Sequence, residues 1–283
     1  MQHLTTIDEW RRFAQITREA NSRVGLVSTM GALHAGHQSL VQRALDDGTT
    51  PLVTIFVNPR QFNDANDLAA YPNELEEDVA RCRDWGAAAV VTPSVAEMWP
   101  NYPADTATTV HVAGVTEGYE GAGRPGHFDG VASVVTKIFA ITGIANAYFG
   151  EKDFQQLAMV RRLNDELSLG LNVIGCPIVR DEQGLALSSR NVRLSADGRQ
   201  RALAISRAVA WAGAEPRTVR DIEGHVDRII RDAGGEVAYA SVVNSDTVTP
   251  FGVGAGPARL VVAAYFEGVR LLDNGPVVVH GQE

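Results

Sequence analysis

Between residues 24 and 179 the chain repeats one pattern: a short apolar run, a polar or glycine-bearing turn, then a stretch with apolar residues at helical spacing. VGLVST (24–29) reads as a strand and HQSLVQRALDD as an amphipathic helix. LVTIFV (52–57) is a second strand, ELEEDVARCRDW (74–85) a helix, and AAAVVT (87–92) a third strand. FDGVASVVTKIFAIT (128–142) is helical and NAYFG (146–150) is a strand. DFQQLAMVRRLNDELS (153–168) is helical and LNVIGCPIV (171–179) closes the series. The Pro/Gly-rich stretch 93–127 reads as loop with a short strand at TVHVA. Strands that alternate with helices must be joined by right-handed crossovers, so the expectation is an α/β fold: a Rossmann-like, doubly wound parallel sheet. Ligands then bind where loops leave the carboxyl ends of the strands.

Past residue 180 the pattern changes. Helices near 195–213 and 218–233 are followed by strands at EVAYASVVN, RLVVAAYF and PVVVH. The division expected is 1–180 for the sheet domain and 181–283 for a smaller α+β domain. The formal net charge of −9 argues against a nucleic-acid partner, which needs a basic face. An anion held here must be small and met by a few placed cations. Cys82 and Cys176 form no CxxC pair, so neither a disulfide framework nor a zinc knuckle is expected. No apolar run approaches the ~20 residues that span a bilayer, and the polar start MQHLTTIDEWRR has no signal-peptide character. The reading is a cytoplasmic protein with no membrane contact.

Five stretches carry chemistry. In STMGALHAGHQSL, a strand-to-helix turn, His34 and His37 share one helix face, and Gly31 and Gly36 let backbone approach a ligand. An anion at the helix start, a metal and plain packing all fit this turn alone, although zinc would want a third ligand. GxxxxGK[ST] and GxGxxG are both absent. FVNPRQF (56–62) offers Asn58 and Gln61, neutral amides suited to hydroxyls and a carboxylate, though Asn-Pro is also a turn opener. GAGRPGHFDGV (121–131) places Arg124 and His127 ahead of a helix, either a second anion contact or a solvated charge. In YFGEKDFQQ (148–156), Lys152 suits a phosphate and Asp153 a ribose, while Asp153 with Gln156 also matches a capping box. GLALSSRN (184–191) is either a phosphate clamp or an ordinary loop before a helix.

Taken in order, TMGALHAGH, FVNPRQF, AYP at 70–72, GRPGHFDGVASVVTKIF, YFGEKDFQQ and PIVRDEQGLALSSRN resemble the pantoate–β-alanine ligase family, the pantothenate synthetases. These belong to the nucleotidyltransferase superfamily related to class I aminoacyl-tRNA synthetases. The motifs cover residues 29–191. HAGH stands where that superfamily has H-I-G-H, and LSSRN where it has K-M-S-K-S. The resemblance implies ATP-dependent condensation of (R)-pantoate with β-alanine through a pantoyl adenylate, with Mg²⁺, a C-terminal lid and a homodimer. It also implies residue roles. Met30, Gly31, Ala32, Leu33, His34, Ala35, Gly36 and His37 line the ATP site, His34 and His37 on the phosphates and His37 as the residue usually called the proton donor. Gly150, Glu151, Lys152 and Asp153 contact ATP, and Val179, Leu187, Ser188, Ser189 and Arg190 complete the nucleotide site. Gln61 and Gln156 hold pantoate, Gln61 also borders β-alanine, and Arg124 is a further substrate contact.

Two residues depart from the family pattern: Leu187 replaces a methionine, and Asn73 stands where an arginine usually follows Tyr-Pro. The magnesium carboxylate is best matched by Asp78, with Glu77 beside it. Arg193, Arg199 and His225 are read as structural or solvated. The runner-up functions are an adenylyltransferase acting on a phosphate acceptor and a non-catalytic nucleotide-binding protein. The first would need extra cations where FVNPRQF and DFQQ offer amides, and the second predicts a broken phosphate set.

Overall fold

The computed structural model describes residues 1–72, 74–104, 107–252 and 257–280; Asn73 lies outside them. In chain order the elements are β1 (Gln2–Leu4), α1 (Ile7–Glu19), β2 (Val24–Thr29), α2 (Ala35–Asp46) and β3 (Thr50–Ile55). Next come α3 (Ala65–Ala69), α4 (Leu75–Asp84), β4 (Ala89–Val91), α5 (Val95–Met98), α6 (Tyr119–Gly123), α7 (His127–Thr142) and β5 (Ala145–Gly150). The series ends with α8 (Phe154–Glu166), β6 (Asn172–Cys176), α9 (Ala196–Ala214), α10 (Val219–Asp232), β7 (Glu236–Asn244), β8 (Ala258–Phe266) and β9 (Val269–Val277).

β1 to β6 form one parallel sheet in the order β1-β4-β3-β2-β5-β6. Period-two alternation feeds two cores. Leu26, Leu52 and Ala89 pack with Trp10, Phe139 and Leu157 on one face. Val27, Val53 and Val90 pack with Leu40, Val41 and Cys82 on the other. From β2 the chain winds to β3 on one side and later to β5 on the other. The crevice at the carboxyl ends of β2 and β5 is therefore the topological switch point.

The second sheet is antiparallel, β7-β8-β9, with α9 and α10 packed against it around Ile205, Ile222, Leu260 and Phe266. Its own core begins at Leu185, while Val243, Val248 and Val261 join the core of the large sheet.

Three expectations change. TVHVA is not a strand; its backbone is tied to α7, with the Val110 amide donating to Ser133 Oγ at 2.9 Å. The last strand is not PVVVH but Val269–Val277, which carries Asp273 and Asn274 through its middle. The N-terminus, passed over as merely polar, forms an edge strand and a helix capped by Thr6, whose side chain and Glu9 make a reciprocal capping box.

Candidate active site

The turn after β2 is built from within the chain. Gly31 has φ +87°, and a Cβ there would meet Asp78 Oδ2 at 3.0 Å, so glycine is required both by dihedral and by space. Asp78, on α4 and 1% exposed, accepts the Ala32 amide at 2.8 Å and the Leu33 amide at 2.9 Å. Arg81 bridges Asp78 at 3.2 Å and donates to the Leu33 carbonyl at 2.8 Å.

The start of α2 is likewise self-satisfied. His34 is the N-cap, its Nδ1 accepting from the Gly36 amide at 3.1 Å, and His37 Nδ1 accepts from the His34 amide at 3.2 Å. Two histidines thus form a reciprocal capping box. The turn consequently offers a ligand side-chain donors instead of the bare backbone N–H groups expected from a helix start. With Nδ1 accepting on each ring, Nε2–H is the donor left, and the ring centroids stand 4.2 Å apart. Burial, with Lys152 nearby, lowers the His34 pKa to about 4; burial and His34 lower His37 to about 3. Both rings are neutral at pH 7.

After β3 the chain makes a 3₁₀ turn, Pro59–Gln61. Asn58 is 1% exposed and structural. Its Oδ1 accepts from Trp99 Nε1 at 3.0 Å, and its Nδ2 donates to Gly130 O at 3.1 Å and to Gln61 Oε1 at 3.0 Å. Because Gln61 Oε1 is occupied, its amide nitrogen faces the ligand space as a double donor. Gly130 on α7 permits this approach, since a Cβ there would lie 2.2 Å from Arg60 O.

The turn after β5 carries Glu151, Lys152 and Asp153. Asp153 makes no capping bond at α8; its Oδ1 instead accepts from Lys152 Nζ at 3.2 Å. The small sheet grips this turn. Asn274 Nδ2 donates to the carbonyls of Glu151 at 2.9 Å and Lys152 at 3.0 Å, and Arg259 binds Glu151 at 2.8 Å. The loop after β6 is anchored similarly, Arg180 pairing with buried Asp273 at 2.6 Å and Leu187 N donating to Val179 O at 2.9 Å. At its end Arg190 reaches Asp67 of α3 at 3.4 Å, and Arg193 shares that carboxylate at 3.9 Å. Arg199 pairs with Asp181 at 3.0 Å, and His225 stacks on Trp211 at 3.7 Å.

These turns line an open cleft at the switch point. Met30, His34, Gly36, His37, Gln61, Gly150, Lys152, Asp153, Gln156, Val179, Leu187, Ser188, Ser189 and Arg190 all line it. Other expected contacts lie elsewhere. Ala32 and Leu33 are engaged by Asp78, Gly31 faces a separate recess beside Pro72, Ala35 is exposed on α2, and Glu151 is held by Arg259. The sequence reading missed Tyr71 and the apolar wall of Val131, Val134 and Val135. Their 3,4 spacing on α7 looks the same whether it faces a core or a ligand. A second chamber adjoins the cleft and shares Met30, Gln61, Lys152, Asp153, Gln156 and Arg190 with it.

Asp78 is committed to the turn after β2. Both Asp78 oxygens are engaged by backbone amides, Glu77 pairs with Arg81, and no group of three or more His, Cys, Asp or Glu suited to a metal occurs among the described residues. Asp78, matched in the sequence to a magnesium carboxylate, anchors the turn in this structure.

A family model described as Pantoate-beta-alanine ligase matches residues 2–276. A pantothenate synthetase from Chelativorans sp. (strain BNC1) is 50% identical over 276 residues, 96% of each chain. The crystal structure of pantothenate synthetase from Thermus thermophilus superposes with a TM-score of 0.84 at 38% identity, covering 98% of this chain and 100% of that one. A Francisella tularensis pantoate-β-alanine ligase, complexed with βγ-ATP and β-alanine, gives 0.81 at 29% identity, covering 98% of this chain and 97% of that one. Matched over nearly its whole length in sequence and in fold, the chain belongs to the pantoate–β-alanine ligase family.

Proposed function

We propose that this enzyme condenses (R)-pantoate with β-alanine in two steps within the switch-point cleft. The observation that carries the reading is the convergence there of two donor histidines, Lys152 and Arg190 with the amides of Gln61 and Gln156. In the first step the pantoate carboxylate attacks the α-phosphorus of ATP. A P–O bond forms, the bond to the bridging oxygen breaks, and pyrophosphate leaves with the electron pair. The carboxylate is already an anion, so no general base is needed, and catalysis reduces to positioning and charge stabilisation. Lys152 and Arg190 supply charge, and His34 and His37 supply Nε2–H donors. His37, being neutral, gives a hydrogen bond to the phosphates instead of a proton. Arg190 exchanges Asp67 for phosphate as it engages.

In the second step the β-alanine amine attacks the acyl carbon. A C–N bond forms, the acyl C–O bond breaks, AMP departs with the electron pair, and the amine's protons pass to solvent. Gln61 and Gln156 orient pantoate, and the Val131, Val134 and Val135 wall accepts its methyl groups. Magnesium accompanies ATP as part of the substrate complex. Contacts from the small sheet to the Lys152 turn suit it to act as a lid that shields the hydrolysable adenylate. No helix among the described residues is long and apolar enough to cross a membrane. The cytoplasm as workplace and a homodimer as working unit complete the proposal; both rest on the family resemblance. ATP–pyrophosphate exchange tests the reaction: label enters ATP only when pantoate is present, and exchange that ignores pantoate overturns the reading.

A further inference from the structure

The tryptophan that closes α5 is tied to the cleft through two amides. Trp99 is 7% exposed and belongs to the core of the large sheet. Arg60 and Lys137 lie over its ring, 5.0 and 5.2 Å from the centroid. Arg60, the cation of FVNPRQF, is thus drawn to the indole and lines neither the cleft nor the chamber. Trp99 lines neither space as well.

An indole nitrogen can only donate, so the Asn58 atom that faces it at 3.0 Å must be the oxygen. That assignment propagates toward the cleft. The Arg60 amide gives the same oxygen a second, longer bond at 3.3 Å. Both Nδ2 protons are then spent on Gly130 O and Gln61 Oε1, so Asn58 makes all four hydrogen bonds its side chain allows. Gln61 Oε1 is thereby held as an acceptor, and the Gln61 NH₂ group is what remains for a ligand. A carboxylate only accepts, so this polarity suits it, whereas the reversed amide would set oxygen against oxygen. Arg60 N and Gly130 O, which also orient Asn58, belong to the backbone. The indole is the side-chain part of the lock.

We propose that Trp99 is a positioning residue for pantoate capture: its N–H sets the direction of the Asn58 amide, which in turn aims the Gln61 donors at the substrate carboxylate. This rests on the placement of pantoate at Gln61 given above. The indole acts through two uncharged groups, so its effect falls on pantoate binding and not on charge stabilisation at phosphorus.

Trp99→Phe keeps a ring for Arg60 and Lys137 and deletes the N–H. In ATP–pyrophosphate exchange it raises the pantoate KM about three- to tenfold, the worth of one hydrogen bond, while the ATP KM and the saturated rate move less than about twofold. In a Gln61→Ala background the same substitution adds nothing to the pantoate KM, because its route to the substrate is gone. Gln61→Glu, which offers only acceptors, tests the polarity without touching the core and raises the pantoate KM above that of Gln61→Ala. An unmoved pantoate KM in W99F, a lowered Tm with equal losses toward pantoate and ATP, or the same factor with and without Gln61 overturns the assignment. A pantoate KM in Q61E at or below that of Q61A overturns the polarity on which it depends. Wild-type exchange that ignores pantoate would instead bring down the underlying two-step reading.

Discussion

Asp78→Asn separates an anchor for the histidine turn from a metal ligand. In the wild type the carboxylate accepts two backbone amides at 2.8 and 2.9 Å and a guanidinium at 3.2 Å, at 1% exposure. Bonds to a charged acceptor contribute about 1.5–3 kcal/mol each. Asparagine keeps one oxygen but turns an NH₂ group toward the other backbone N–H, so one bond weakens and the second becomes a donor–donor clash. A loss of about 3–5 kcal/mol follows, the range for a buried charge pair deprived of one partner. At about 2.1 cal/mol/K of unfolding entropy per residue, that lowers Tm by about 5–8 °C for a chain this long. The freed turn also displaces His34 and His37, and a misplacement near 1 Å costs about 10²-fold in exchange rate. The assays are thermal unfolding and ATP–pyrophosphate exchange titrated with Mg²⁺. An anchor gives lower stability and rate with an unchanged Mg²⁺ midpoint. Wild-type Tm with a midpoint raised tenfold or more would refute the reasoning.

Asn274→Ala removes both bonds from the small sheet to the Lys152 turn, and adenylation should fall about tenfold with little change in Tm; loss of stability alone would make the residue merely structural. His34→Ala and Lys152→Ala should each cut pantoate-dependent exchange by about 10²-fold, as loss of a preorganised transition-state donor does, and wild-type pyrophosphate release in either would remove it from the mechanism. Gln61→Ala should raise the pantoate KM, and an unchanged KM and rate would refute its placement. Stability should fall as pH drops below about 6.5. The unfolded chain protonates His34, His37 and His127 there, whereas the folded pKa values are about 4, about 3 and about 4. Each ring contributes up to ~1.4 kcal/mol per pH unit across its window, and denaturant titrations flat from pH 7 to 5 would contradict it.

The parallel sheet was legible because its central strands alternate between two apolar faces, as Leu26 with Val27 and Leu52 with Val53 do, and because each is followed by a polar turn. The cleft residues were legible for a related reason: they lie at strand ends, where the turns after β2, β3 and β5 must converge once strand order reverses. What local pattern could not show is contact across long separations. Asp78 reaches the turn from 46 residues away, and Asn274 reaches Lys152 across 122. β9 was displaced for the same reason. Asp273 and Asn274 interrupt its apolar run because they face Arg180 and the Lys152 turn instead of a core, so the polar residues that obscured the strand are those joining it to the site.

The histidine pair shows why sequence alone kept three readings of one turn open. As packing, a metal pair or an anion site, His34 and His37 would occupy the same spacing, and only the fate of Nδ1 decides among them. Each Nδ1 accepts a backbone amide of the helix start, so neither nitrogen is available to a metal through that edge. Protonating either ring at Nδ1 would set two donors against each other and break the cap. Capping therefore enforces neutrality, reinforced by burial and Lys152, and neutrality fixes which proton faces the cleft. The rings can add hydrogen bonds to a polyphosphate without adding charge, leaving charge neutralisation to Lys152 and Arg190. That division predicts different losses. Lys152→Ala should make exchange less sensitive to ionic strength, because a screened attraction is gone, whereas His34→Ala should lower it by a factor that salt does not alter.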